Sequence, residues 1–148
     1  QGATDSNPAI QNAINELAQR YGRQADLQLH LEAHSPVKIP FELLKTLVSE
    51  IIENAMLYSP KRTPIKIISG SDLEKTVITV ADEGLGMSEE QISRTGAFST
   101  FTSNTQEVEG VGLGLTIAKK IIDLFGGSLS IRSTPGIGTT VRITIPNL

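Results

Sequence analysis

Apolar positions along the chain repeat at two periods, and the places where one period gives way to the other mark out its elements. Ile10, Ala13, Ile14, Leu17 and Ala18 recur at helical spacing as far as Gly22. This predicts a first helix, with Asn7–Pro8 capping and opening it. Leu27, Leu29 and Leu31 then alternate with Gln28 and His30, the pattern of a strand with one buried face. Between Pro40 and Tyr58 the stripe Leu44, Leu47, Val48, Ile51, Ile52 and Ala55 predicts a long amphipathic helix. Lys45, Ser49 and Glu53 lie roughly opposite that stripe, while Glu50, Asn54 and Leu57 share a strip along its edge. Ser59–Pro60 ends the helix.

The period returns to two at Ile65–Ser69 and Thr76–Val80, which predict an antiparallel hairpin across the turn-rich Gly70–Ser71–Asp72. Ser88, with Gln91 three residues on, predicts a short capped helix. From Thr95 to Glu109 no period is visible, and only Phe98 and Phe101 punctuate a Ser/Thr-rich loop of the length that is usually functional or mobile. Gly110–Val111–Gly112–Leu113–Gly114–Leu115 leads into a helix through Ile117, Ala118, Ile121, Ile122 and Leu124, closed by Gly126–Gly127. Two last strands, Ser128–Arg132 and Thr139–Ile145, flank Pro135–Gly136–Ile137–Gly138.

Composition narrows the class. The 148 residues are 39% hydrophobic and 20% charged, which suits one soluble domain. We assign it to residues 8–148, with 1–7 as a frayed end. A net charge of −3 without long runs of one sign points away from nucleic acid and from direct membrane contact. Cysteine is absent, which excludes disulfides and thiolate metal sites. His30 and His34 have no neighbouring ligand types and read as solvent-side residues. The chain begins Gln1–Gly2–Ala3, as expected of a piece of a longer protein.

Three places carry candidate chemistry. Asp82 ends a strand and is followed by Gly84 and Gly86, so its carboxylate could accept from an exocyclic amine while the glycines admit a flat ligand. A solvated turn would read the same way. Glu50 and Asn54, one turn apart at a core margin, could be a capped surface pair or the floor of a site with an amide oxygen on a hard cation. The Gly110–Gly114 run at a helix start offers N–H groups to an anion. It lacks the Lys–Ser/Thr of a P-loop, and it falls too late in the chain for a dinucleotide βαβ unit.

In order, Glu50-x-x-x-Asn54–Ala55, Asp82-x-Gly84-x-Gly86, Phe98/Phe101, Gly110-x-Gly112-x-Gly114–Leu115 and Gly136-x-Gly138–Thr139 resemble the boxes of the Bergerat-type ATPases. The Asn54–Ala55-x-x-Tyr58–Ser59–Pro60 run is most similar to the catalytic and ATP-binding domain of sensor histidine kinases. The resemblance covers residues 8–146. It implies a two-layer α/β sandwich, a mixed sheet with helices on one face, and ATP with Mg²⁺ as cofactors. It implies that Asp82 accepts the adenine amino group, directly and through water near Thr139. Gly84 and Gly86 would make room for the base, with Met87 and Tyr58 packed on it. Asn54 would hold the Mg²⁺, a hard oxygen ligand for a hard cation. Gly110, Gly112 and Gly114 would meet the phosphates, and Leu115 would seal the pocket. Phe98 and Phe101 would anchor a lid, or else pack in the core.

The implied reaction is transfer of the γ-phosphoryl group to a histidine. Neither His30–Leu31 nor His34–Ser35 is a His–Glu acceptor motif, so the acceptor is expected on a histidine-containing dimerisation domain of the same protein, with a response regulator downstream. A cytoplasmic domain, attached to a membrane-bound sensor, is the corresponding location. Three departures from the pattern stand out: Leu57 replaces a phosphate-contacting lysine, for which Lys61 or Arg62 is the candidate substitute; residues 102–109 contain no Arg or Lys; and Glu50 stands where gyrase-type ATPases keep a general base. These favour an alternative, an anti-sigma-type serine kinase or a nucleotide-dependent protein-binding module.

Overall fold

The structure, a computed structural model, describes residues 5–86, 90, 98–101 and 113–148. The expected helix at Ser88–Gln91, most of the Thr95–Glu109 loop, and Met87, Gly110 and Gly112 fall outside these residues.

Helix α1 spans Ser6–Tyr21, and its cap is Asp5, whose carboxylate accepts from the Asn7 N–H at 3.2 Å. Asn7, expected to be the cap, sits instead in the first turn and is free to bond elsewhere. Its Nδ2 donates to the Ala33 carbonyl at 2.8 Å, and its Oδ1 accepts from Ser69 Oγ at 3.0 Å. Gly22 closes α1 in the left-handed region at φ +65°. A 3₁₀ turn at Gln24–Asp26 leads into β1, Leu27–Leu31, and α2 follows at Phe41–Tyr58.

Strands β2 (Ile65–Ser71) and β3 (Lys75–Asp82) form the expected hairpin, but Gly70 and Ser71 belong to β2. The turn lies two residues later, where the Asp72 side chain accepts from the N–H groups of Glu74 and Lys75 at 2.8 and 2.9 Å. Strand β4 (Phe98–Phe101) lies inside the stretch expected to be a loop. Four residues are too few to show a period, yet their backbone pairs parallel with β5. Helix α3 spans Leu113–Leu124, and β5 (Ser128–Thr134) and β6 (Gly138–Pro146) complete the chain.

The six strands form one mixed sheet in the order β1-β2-β3-β6-β5-β4. Alternate residues Ile65, Ile67, Ile78, Val80, Leu129, Ile131, Val141, Ile143 and Ile145 are buried with the apolar faces of α1, α2 and α3. The result is the two-layer sandwich with helices on one face. The full α2 stripe is in this core, as its spacing requires. Two apolar expectations fail at the margins. Leu29 stays 37% exposed because β1 is an edge strand only partly covered, and Ile117 and Leu124 of α3 face solvent, away from buried Leu115, Ala118 and Ile122.

Helix α3 closes at Gly126–Gly127, where the space of a Gly127 Cβ is taken by the Thr144 carbonyl. The C-terminus of α2, the end of β3 and the β5–β6 turn meet at one end of the sheet.

Candidate functional site

Asp82 is the last residue of β3 and pairs in register with Thr139 of β6. Its Oδ1 accepts from the Gly84 N–H at 2.8 Å, and the Thr139 backbone N–H reaches the same carboxylate. Burial pushes its pKa up to about 6, against these two hydrogen bonds and the charge of Arg23, which pull the other way. A carboxylate has about four lone-pair sites, so two backbone donors leave it able to accept from a further N–H. The Thr139 side chain is engaged separately: it is 5% exposed, with Oγ1 3.1 Å from Ser133 Oγ.

The glycines around Asp82 are required by neighbouring backbone. A Cβ on Gly84 would stand 2.2 Å from the Tyr58 carbonyl oxygen, and one on Gly138 would stand 2.1 Å from the Asp82 carbonyl oxygen. Gly86 adopts φ +80°, beside the Thr134 carbonyl. Leu85 donates to the Tyr58 carbonyl at 3.2 Å and accepts from the Gly136 N–H at 2.8 Å. Three segments thus clamp the loop: the end of α2, the β3 end and the β5–β6 turn. The space at the missing Cβ positions of Gly84 and Gly86 holds main chain, so a side chain at either would strike backbone. An open groove of about 450 Å³ follows the seam, lined by Leu57, Tyr58, Glu83, Leu85 and Gly136, among others.

Asn54 and Tyr58 share one strip of α2, one turn apart, with Glu50 a turn further back; all three are partly exposed. Among the described residues neither the Asn54 amide nor the Glu50 carboxylate has a hydrogen-bond or ion-pair partner. Burial, then the nearby Glu53, raises the pKa of Glu50. Glu53 itself faces α1, accepting from Tyr21 and pairing with Arg20. No group of three His, Cys, Asp or Glu among the described residues is placed to hold a metal alone.

Leu57 is 52% exposed on this strip. Of the two candidate substitutes for a lysine there, Lys61 has its Nζ 3.8 Å from the Cβ position of Gly22 at the end of α1, and Arg62 donates its backbone N–H to the Asp26 carboxylate at 3.1 Å. Leu115 is fully buried in the first turn of α3, and Gly114 precedes it in the same turn. Phe98 and Phe101 are placed only by the backbone of β4.

One residue escaped the sequence reading. Arg23 is 1% exposed and caps the C-terminus of α2. Its Nη1 donates to the carbonyls of Met56 and Ser59 at 2.9 and 3.1 Å. These carbonyls lie more than thirty residues away in sequence, so no local pattern announces the cap.

The profile described as histidine kinase-, DNA gyrase B-, and HSP90-like ATPase matches residues 41–148. The chain is 37% identical over 125 residues to sensor histidine kinase YkoH of Bacillus subtilis, covering 81% of this chain and 27% of that protein. It is 32% identical over 126 residues to sporulation kinase D of the same organism, covering 85% and 24%. The chain therefore spans about a quarter of the length of these relatives. Among solved structures, the catalytic domain of histidine kinase ThkA superposes with a TM-score of 0.74 at 23% identity, covering 97% of this chain and 95% of that one. The mycobacterial sensor histidine kinase MprB gives 0.72 at 19% identity, covering 97% of each. These two likenesses establish the fold.

Proposed function

The chain belongs to the histidine kinase-, DNA gyrase B-, and HSP90-like ATPase family, and from that premise we propose that it is the ATP-binding catalytic unit of a two-component sensor histidine kinase. The observation that carries the reading is Asp82: a sheltered carboxylate at a strand end, held by two backbone N–H groups with acceptor capacity to spare. Such a group selects a base with an exocyclic amine over one with a carbonyl at that position, since the carbonyl would leave a buried acceptor facing another acceptor. The names of the relatives favour a histidine kinase over an anti-sigma-type serine kinase.

Asn54 would hold Mg²⁺ through its free amide oxygen, and the Tyr58 ring would pack on the base. The bound cation would supply charge neutralisation at the phosphates. Leu115 would close the apolar side, while the backbone of the Gly110–Gly114 run would meet the phosphates. The protein's contribution to phosphoryl transfer is then mostly positioning. The acceptor histidine would come from a dimerisation domain of the longer protein, and a response regulator would take the phosphoryl group onward. No helix among the described residues is long and apolar enough to cross a membrane. A cytoplasmic position beside a membrane-bound sensor fits the proposed role.

The test is phosphorylation of the longer protein with ATP labelled on its γ-phosphate. An acid-labile, base-stable phosphohistidine that is lost in Asp82→Asn supports the reading. Label on serine, or none, would remove it.

A further inference from the structure

Arg23 is buried among backbone carbonyls, where an arginine is costly unless every donor is used. Here every donor is used. Nε pairs with Asp26. Nη1 donates to Met56 and Ser59 carbonyls at 2.9 and 3.1 Å. Nη2 reaches Ser59 Oγ at 3.2 Å and the carbonyls of Pro60 and Thr63 at 3.1 and 3.3 Å. Ser59 Oγ in turn donates to Ala55 at 2.6 Å. A helix leaves its last four carbonyls without partners, and this one guanidinium gathers the end of α2 and the chain that follows it.

That end is one wall of the clamp around Asp82. The Tyr58 carbonyl, between two residues whose carbonyls Arg23 holds, accepts the Leu85 N–H. The Cβ position of Gly84 lies 2.2 Å from that carbonyl and 2.9 Å from Asp82 Oδ1. Any shift of the α2 terminus is therefore passed to the base-reading loop through main chain, with no slack between.

We propose that Arg23 is a positioning residue for nucleotide-base recognition, fixing the Tyr58 carbonyl and through it the loop that presents Asp82. The inference rests on the reading of Asp82 as the base acceptor. It assigns Arg23 a role that none of the glycine-rich or Asn54 motifs contains.

The same cation also biases Asp82, which gives a readout that mere structural support would not move. The arginine's positive charge favours the ionised carboxylate. The charged and titratable groups about this corner are Asp26 and Arg62 beside Arg23, Lys61 beyond Pro60, and Glu83 and Tyr58 beside Asp82. Of these, Asp26 pairs with Arg23 directly and offsets its field.

The experiment follows the carboxyl ¹³C shift of Asp82 against pH in the unliganded 148-residue chain, together with ATP affinity by calorimetry. Arg23→Gln should raise the Asp82 midpoint and weaken ATP binding at pH 7 several-fold. Arg23→Lys, which keeps the charge and loses the fork, should hold the midpoint near wild type yet still weaken binding. Asp26→Asn, which unmasks Arg23, should lower the midpoint. If Arg23→Gln does not fold, the opposite sign expected of Asp26→Asn decides the matter. An unmoved midpoint in Arg23→Gln and Asp26→Asn, or wild-type ATP affinity in Arg23→Lys, would overturn the inference. Wild-type ATP affinity in Asp82→Asn would instead overturn the reading of Asp82 itself, so the two failures are distinguishable.

Discussion

The N–H of Leu85 donates to the carbonyl oxygen of Tyr58 at 3.2 Å, and the intervening space is too small for a side chain on Gly84. The loop after β3 and the end of α2 are thereby joined as one rigid corner. A methyl group there must displace main chain on one side or the other, which overpacking data put at about 1–3 kcal/mol. Gly84→Ala should therefore lower the melting temperature and remove most ATP binding, whereas an alanine at Gly70, where nothing lies within 4 Å, should do neither. Thermal melts and calorimetry on the two variants check this.

Asp82→Asn separates stability from function, because the two depend on its ionisation with opposite sign. Binding uses the ionised form as an acceptor, so ATP affinity should fall about tenfold per pH unit below the carboxyl's value of about 6. Folding disfavours the ionised form: a carboxyl raised from 3.8 to about 6 costs stability progressively as pH rises from the lower value to the upper, and the full cost is present above it. Its contribution to stability is full below the unfolded value and is lost as pH rises through the folded one. Asp82→Asn should then be the more stable protein at pH 7, with the gap closing near pH 4, while binding ATP at least tenfold more weakly. Paired melts of wild type and variant across pH cancel the other carboxylates and show the sign directly.

The parts of this fold that could be read in the sequence are those built from periodic apolar residues. The α2 stripe from Leu44 to Ala55 is fully buried, as are the inward residues of β2, β3, β5 and β6. Spacing alone carries that information, since each element must turn one face to the core. Strand β4 was hidden because its four residues need β5 beside them to become a strand. Asn7 looks the same as a cap because a good cap residue two positions too late carries the same side chain signal. Around the site, Asp82 and the glycines are visible as a motif, but the neighbouring carbonyls that leave no room for a Cβ at Gly84 and Gly138 are not. Arg23 left no local trace, because a tertiary cap has no fixed sequence separation from the helix it caps.

Leu57 is where the motif departs most from its family pattern, and its half-exposed position makes the departure cheap to reverse. It stands three residues after Asn54, on the same strip. Leu57→Lys would add a cation there without emptying the core. It should raise ATP affinity by about threefold to tenfold at low salt, with the gain shrinking as ionic strength rises. The melting temperature should stay within a degree or two. Calorimetry at two salt concentrations tests it; an unchanged affinity would show that the strip does not face the phosphates.

Glu50 carries the last prediction. Its carboxylate lies one turn before Asn54, unpaired among the described residues, and burial with Glu53 nearby raises its pKa. A raised pKa makes a carboxylate a better proton acceptor, the property a general base needs. On the strip that holds the proposed metal ligand, such a base could activate a water near the γ-phosphate. In a histidine kinase that reaction competes with transfer, because the productive nucleophile is a histidine from another domain. The chain should accordingly hydrolyse ATP slowly on its own. Glu50→Gln removes the proton acceptor and keeps the shape, so it should lower hydrolysis by about 10²–10⁴-fold, the usual worth of a general base, while changing ATP affinity little. In the longer protein the same change should spare transfer to histidine more than it spares hydrolysis. If Glu50 serves only to orient Asn54 or the water around the cation, Mg²⁺-dependent binding, hydrolysis and transfer would fall together. Measuring all three in one variant distinguishes the two roles, and a joint loss would end the general-base assignment.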